Sequence, residues 1–510
     1  MSDAATRYAG WSRDRQGWFL GQTAGTWITG TAAGLPVLLG VGAHRWLFVA
    51  GWLPLWAAVI AVLTVPVRGR SAARWLTDSL IKTVGDVMWW TSWQARACTG
   101  RVEDVNQTDL PGVLAGIHSH DGPRYGVSGA RVALIQDRIA QTWAVVARIT
   151  HPGIGLAELD ERDRMGAGLS ELLEQLSSVE LVQLVALQVR TMPDDGAERA
   201  GWQRHHLRPG APRLARQVTA DLDAAIVRAG VRHEAFITVV VREQRLKGPA
   251  KEAGGGVDGR ARVLHGVMSE LERALLGGIG CTAVEWLDAP ALAAAIRTGY
   301  APEDRAALID AAHAAPDNRG SAGPTVGVPM GLAGPGTAPR PARRHYEHDA
   351  WSSVSCTVVL PDKGVVMGAF APLLAPAEAG ERRCVTFFYE PIGQHRAEKL
   401  IGGGMMSADL AHTLLRRGGF TIRARHRRET DRVHRQDERL ATGRALVRSA
   451  VAAAVTVPST WSISDAGRRL ESSIRSAGFH PQRLDLAQDA GFVAAAIPLG
   501  IGLPRHRSTP

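Results

Sequence analysis

The chain lacks the signatures of the commonest catalysts. No GxxxxGK[ST] phosphate loop occurs in its 510 residues, and neither HExxH nor Gly-x-Ser-x-Gly is present. Asp362-Lys363-Gly364 and Gly402-Gly403-Gly404 lack the Lys-Ser/Thr that must follow a glycine loop to grip phosphate and magnesium. Cysteine is scarce: the four, at 98, 281, 356 and 384, are too far apart for a zinc knuckle or a disulfide framework. Such usage suits a reducing cytoplasm. Charge is missing altogether from two stretches, Gln22 to Gly42 and Trp46 to Val67.

Each of these stretches has the roughly 20-residue length that carries a helix across a bilayer. Only Ala43, His44 and Arg45 join them, so the predicted helices form a hairpin that returns to the side it left. Arg7, Arg13 and Arg15 precede it and Arg68, Arg70, Arg74 and Lys82 follow, against Arg45 alone in the turn. Bases stay on the cytoplasmic side, which predicts a multi-pass inner-membrane protein with both termini cytoplasmic. Trp18, Trp46 and Trp52 sit near the span ends, where an indole keeps its N–H wet. A cleaved signal peptide has one short apolar core, not two full spans. Buried soluble helices would be weakened by Gly21, Gly25, Gly30, Gly34 and Gly40, which instead suit close packing of membrane helices.

Past the hairpin, Leu76, Leu80, Val84 and Met88 recur every four residues, with Trp75, Trp89, Trp90 and Trp93 among them. This is one apolar stripe of a helix. A helix along the membrane surface, its bases near anionic headgroups, and a helix packed on its own domain both use such a stripe.

The remaining chain is long enough for two to three compact domains. The net charge of +10 fits an anionic membrane face or nucleic acid without choosing between them. The pattern divides this part into two similar halves. In the first, Tyr125 to Ile135 and Thr142 to Thr150 form a hairpin and Leu156 to Leu176 a helix. A strand over Val179 to Val189 leads to a helix over Pro212 to Ala229, stopped by Gly230, and then to a strand over Phe236 to Val241. A glycine-rich loop (Lys247 to Gly259), a helix over Ala261 to Leu276, a strand over Thr282 to Leu287 and a short helix over Ala289 to Arg297 complete it. In the second, Val354 to Leu360 and Gly364 to Phe370 form a hairpin, and Arg383 to Glu390 is a strand. Arg396 to Leu446 is largely helical. A strand over Ala450 to Val457 leads to a helix over Ser462 to Ala477, stopped by Gly478, with strand-like Phe492 to Ile497 near the end. The shared strand–helix–glycine phrase fits a duplication, and it fits chance recurrence of a common pattern.

The expected organisation is a membrane-anchored α+β protein. A transmembrane hairpin (1–69) and juxtamembrane helix (70–100) precede two cytoplasmic α+β sandwich-like subdomains (101–300 and 346–510). An Ala/Pro/Gly-rich linker (301–345) joins the subdomains.

The polar clusters carry little chemistry. His118-Ser119-His120-Asp121 reads as a polar loop, His205-His206 as part of another, and His345-Tyr346-Glu347-His348 as a solvated domain entry. No metal and no cofactor is expected, and no catalytic residue is assigned. The strongest charge feature is Arg416 to Arg448. Arg423, Arg425, Arg427, Arg428, Arg432 and Arg435 are candidate partner or nucleic-acid contacts. Phe420 is the region's one aromatic, and Glu429, Asp431, Asp437 and Glu438 interrupt the bases. An exposed salt-bridged helix or protein-binding face fits this better than a nucleic-acid groove, which needs aromatic platforms.

Pro66-Val67-Arg68-Gly69-Arg70-Ser71 with its Trp-rich continuation, Gly129 to Arg148 and the ending Ala494 to Gly500 give the chain a resemblance. It resembles membrane proteins of actinobacterial conjugation-like clusters, encoded beside type IV secretion ATPases. Gly129 to Arg148 is similar to the start of the N-terminal domain of the large ATPase, and Ala494 to Gly500 to the end of that domain. The resemblance implies a short two-span anchor fused to the motor's non-catalytic platform. The implied role is non-enzymatic: a structural inner-membrane component of a secretion or conjugative DNA-transfer apparatus. Its implied partners are the membrane, a separate secretion ATPase, other apparatus subunits and further copies of itself. Alternatives are the membrane-anchored E component of type VII secretion, a membrane-tethered DNA-binding protein, and a tethered enzyme whose site is dispersed in sequence.

Overall fold

The computed structural model describes residues 7–8, 24–64, 66–67, 70–126, 129–194, 196–208, 210–229, 231–314, 327–339, 341–361, 364–378, 380–402 and 434–502. These fall into two units. One comprises Gly10–Thr91, Ile401–His434 and Arg505–Pro510; the other comprises Met1–Ala9, Ser92–Leu400 and Arg435–Pro504.

In the first unit, helices α1 (Ala24–Gly42) and α2 (Trp46–Thr64) form an antiparallel pair, and α3 (Ala72–Val87) follows. The chain reverses at His44, which takes a left-handed φ of 56°.

The second unit is built on one antiparallel sheet of eleven strands. Its first half supplies β1 (Ile117–Tyr125), β2 (Ala130–Asp137), β3 (Thr142–Thr150), β4 (Val182–Pro193), β5 (Val231–Arg242) and β6 (Ala283–Trp286). The second half supplies β7 (Tyr346–His348), β8 (Trp351–Val359), β9 (Arg382–Ile392), β10 (Leu446–Pro458) and β11 (His480–Arg483). The spatial order is β7-β8-β10-β9-β4-β5-β3-β2-β1, with β6 beside β3 and β11 beside β8. Strand β3 shows why the sheet is central. Trp143, Val145, Ala147 and Ile149 enter one core, while Ala144 and Val146 enter the other. A strand covered on both faces needs apolar residues at consecutive positions, not an alternating pattern.

The halves have the same connectivity. A hairpin (β2–β3; β7–β8) leads through helix α4 (Leu159–Val179) or Ala371–Leu374 to β4 or β9, and on to β5 or β10. Then come α5 (Gly256–Ala274), β6 and α6 (Ala289–Tyr300) in one half, and α7 (Ile463–Ser476), β11 and α8 (Gln488–Ala496) in the other. The pairing repeats as well. Strand β3 bonds its hairpin partner at Thr142–Ala144 and β6 at Ala147–Thr150, while β8 bonds β7 at Trp351–Ser353 and β11 at Cys356–Val359. Antiparallel β4 and β9 meet at the centre, Val189 opposite Val385, so a pseudo-two-fold axis relates the halves. They therefore share one sheet instead of forming two sandwiches.

On one face, α6 and α8 cover a core that runs through both halves. On the other, α4 and α5 cover the first half, and α7 the second. Polar residues on the shared face receive backbone groups that the covering elements leave over. The carbonyl of Ala495, in the last turn of α8, accepts Gln188 Nε2 and Thr386 Oγ1, each at 2.9 Å. Gln188 and Thr386 are directly opposed across β4 and β9. Arg190 Nη1 donates to Ala295 O at 2.9 Å and Thr238 Oγ1 to Pro498 O at 3.1 Å. The Gln488 side chain bonds both backbone groups of Ser355, accepting from its N–H at 2.7 Å and donating to its carbonyl at 3.2 Å.

Several expectations are corrected. His118 to Asp121 lie in β1, not a loop, because the ladder to β2 extends across them. Lys247 to Gly259 fall largely in the helix Glu243–Glu252 and the start of α5. Gly364 to Phe370 do not close a hairpin on β8; Val365–Val366 pairs Arg7–Tyr8 instead. Phe492 to Ala496 are helical, within α8, and buried all round. The stretch 301–345 contains a helix, Asp304–Ala314, and buries Met330, Ala333 and Ala338. Small residues there fill space beneath other elements instead of forming a core of their own.

Close packing makes one glycine indispensable. A Cβ on Gly168, in α4, would lie 2.3 Å from the carbonyl oxygen of Gly278. Gly168→Ala is expected to destabilise the protein by about 1–3 kcal/mol, because backbone cannot yield as a side chain can. Gly266→Ala, at an exposed position of α5 where nothing lies within 4 Å, should be neutral or slightly stabilising in a helix. Urea midpoints of the two variants check the contrast.

Candidate membrane-attachment site

The two helices of the hairpin meet along a seam of small residues. Among the described residues of α1, Gly30, Gly34, Val37 and Gly40 are the buried positions, spaced to recur on one face. A Cβ on Gly30 would meet Ile60 at 2.9 Å, and one on Gly34 would meet the Trp56 indole at 2.8 Å. The bulk of α2 thus fits where α1 has no side chains, the arrangement that brings membrane helices close. Two indoles fasten the seam: Trp56 Nε1 donates to Gly30 O at 2.9 Å and Trp52 Nε1 to Ala33 O at 3.1 Å. Pro36 and Pro54 lie inside the helices, which a membrane helix with neighbours tolerates better than a soluble one.

Outside the seam the apolar side chains of the hairpin are exposed. No residue of α2 is buried, and Leu47 is 92% exposed. Ile28, Leu35, Leu38 and Leu39 of α1 are exposed too. Among the described residues one helix, Trp46–Thr64, is both long and apolar enough to cross a membrane; the apolar part of its neighbour, Ile28–Gly42, is shorter.

Of the arginine candidates, Arg423, Arg425, Arg427, Arg428 and Arg432 lie outside the described residues. Arg435 is exposed on the helical segment 434–441, as is Arg439. Further on, Arg444 pairs with Glu174 at 2.8 Å, and Arg448, on β10, approaches Glu390 of β9 at 3.9 Å. The strand starts at Leu446, so the basic run ends as sheet, not helix.

The histidine clusters resolve individually. His120 stacks on Trp143 and bonds Gln136 at 3.0 Å. His206 ends a helix, Ala197–His206, and stacks on Trp202. His348 is the opposite of a solvated entry: fully buried, it lies against Phe492 and bonds Ser353 Oγ at 2.9 Å. Burial pushes its pKa down to about 3, so it is neutral at physiological pH. Among the described residues no three His, Cys, Asp or Glu side chains are grouped to hold a metal ion. All four cysteines are free, with Cys98 exposed.

A cleft of about 1560 Å³ in the sheet-bearing unit was not foreseen. Its lining includes Tyr125, Glu272, Trp286, Arg297, Asp304 and Leu332. Arg297 pairs with Asp304 at 2.6 Å and Asp349 at 3.1 Å, and donates to Gly334 O at 2.7 Å. These residues are scattered over some 200 positions of the chain, with no local spacing to reveal them. No family model matches the chain, and a search of curated proteins finds none that is similar to it.

Proposed function

We propose that the chain is a membrane-anchored structural component of a secretion or conjugative DNA-transfer apparatus, docking a separate ATPase at the cytoplasmic face. The observation that carries this reading is α2, an apolar helix with no buried residue. Exposing that surface to water forfeits about 25 cal/mol per Å², whereas lipid covers it. The glycine seam suits α1 and α2 crossing together, and the bases flanking the hairpin favour a cytoplasmic position for both termini. The sheet formed from two repeats gives the anchor a broad, continuous body, as a docking platform requires. Its resemblance to the non-catalytic part of a type IV secretion ATPase points to assembly as its role.

Reporter fusions and affinity capture test this together. A C-terminal fluorescent protein should be bright and a C-terminal alkaline phosphatase silent. The tagged chain, captured from native membranes in detergent, should bring down a motor ATPase. An active phosphatase, or a full-length product soluble without detergent, would remove the membrane reading. Capture without any ATPase would remove the docking role.

A further inference from the structure

Helix α3 has its polarity reversed for a helix in water. Leu76, Leu80, Ile81, Val84, Val87 and Met88 are all exposed, Leu80 by 65%, and Trp89 and Trp90 just beyond it by 71% and 76%. On the opposite arc Asp78, Ser79, Lys82 and Asp86 are half-buried and Gly85 is buried, with the half-buried indole of Trp75 among them. Two of them are paired locally: Lys82 pairs with Asp86 one turn on at 2.9 Å, and Thr91 Oγ1, just past the helix, donates to Asp86 at 2.7 Å. A soluble amphipathic helix turns its apolar side to the protein; the apolar arc of α3 is left uncovered.

We propose that α3 lies in the membrane interface, its apolar arc among the upper acyl chains, as a second and peripheral attachment. This rests on the reading that α2 crosses the bilayer. Continuity with that span favours lipid as the occupant. Residues 65–71 separate α2 from α3, a tether of at most ~29 Å, so α3 starts near the headgroups. The width of the arc argues against a second copy. At about 100° per residue the exposed apolar positions spread over some 140°, broader than the a/d seam of a paired coil. Tandem indoles at the end of the helix match the interfacial preference of tryptophan. Charge plays no part in the attraction: Arg74 and Lys82 are balanced by Asp78 and Asp86, so α3 carries no net charge. The surface it recognises is the apolar layer beneath the headgroups, not anionic headgroups themselves.

Spin-label accessibility in the full chain tests this, in phosphatidylcholine vesicles with and without phosphatidylglycerol. Single labels are placed at Leu80→Cys and Val84→Cys in a Cys98→Ser background. A label at Leu55→Cys in α2 is the lipid reference, and native Cys98 the aqueous one. Labels at Leu80 and Val84 should meet oxygen freely. They should meet a water-soluble nickel chelate several-fold less than Cys98 does, equally in both lipids. Nickel access matching Cys98 at both sites, with Leu55 shielded, would overturn the interfacial helix and leave the span standing. Shielding from oxygen and nickel alike would mean a protein partner, and dependence on phosphatidylglycerol would mean headgroup recognition; either overturns the proposal. Nickel access at Leu55 as well would bring down the span reading and this inference with it.

Discussion

Glu381→Ala is expected to destabilise the sheet-bearing unit by about 3–5 kcal/mol, the cost of leaving a buried cation without its partner. Glu381 and Arg383 are wholly inaccessible. Their side chains meet at 3.1 Å, and Arg469 bonds the other carboxylate oxygen. Arg383 also donates to Ser473 on α7 at 2.8 Å, so the cluster ties β9 to the helix covering it. Glu381→Met combined with Arg383→Leu should cost less than either single change, because no unpaired charge remains. The Glu381 carboxyl is held below the usual carboxylate range. Burial alone would raise it, but the Ala377 N–H, Arg469 and Arg383 together outweigh that. A lowered folded pKa stabilises the protein fully above the unfolded value near 4.5. That contribution is lost as the pH falls through the folded value. Denaturation of the detergent-solubilised protein should therefore show a large gap between wild type and Glu381→Ala at neutral pH, narrowing below about pH 4.5. A gap that stays constant down to strong acid would mean that the charge of Glu381 is not what matters.

Local signals revealed the elements; they could not reveal how the elements join. The hairpin of β2 and β3, whose turn falls at Arg138 to Gln141, and the glycine stop at Gly478 were legible because each depends on neighbours in sequence. Gly478 takes a φ of 83°, which a glycine adopts without strain. Helix α8 was misread as a strand because Ala494, Ala495 and Ala496 are buried on every side, and a helix covered all round has no periodicity to show. Strand β1 was misread at His118 and His120 because polar side chains on an edge strand resemble a loop until their partner strand is known. The pairing of β4 with β9 joins Val189 to Val385, and nothing in either segment names the other. Yet this pairing joins the two halves in a single sheet, and the strand–helix–glycine phrase is not the unit that repeats: it spans β4 to β5 in the first half but β10 to β11 in the second, where β10 is the counterpart of β5. The helical hairpin was legible because charge exclusion and small-residue spacing are one-dimensional properties. The cleft around Arg297 was not, because it exists only once β1, α5, α6 and the 327–336 segment are assembled.

The duplicated plan also explains where polar side chains were tolerated in the core. Gln188 and Thr386 stand opposite each other at the pseudo-two-fold axis, where one covering helix ends. An exact two-fold would offer each half its own helix end at this point, but both side chains converge on the single carbonyl of Ala495. The symmetry is broken there by hydrogen bonding, and a polar pair becomes preferable to the apolar residues found elsewhere on the sheet.

Leu55→Arg should separate the membrane reading from any account in which the hairpin is merely an exposed surface. Leu55 lies at the middle of α2 and is 51% exposed. If that exposure faces acyl chains, an arginine there costs about 2.5–3.5 kcal/mol of insertion free energy, roughly two orders of magnitude in the insertion equilibrium. It is too far from either end of a 19-residue helix to reach the interface without distorting the bilayer. Leu156, in the loop between β3 and α4 of the sheet-bearing unit, is fully exposed and provides the control. Leu156→Arg should change nothing beyond about 0.5 kcal/mol, since no other part of the fold covers that side chain. Carbonate-resistant membrane association of the two variants, measured side by side, should fall sharply for the first and stay at the wild-type level for the second. Equal retention of both would place Leu55 in water and leave no lipid to account for an apolar helix without a single buried residue.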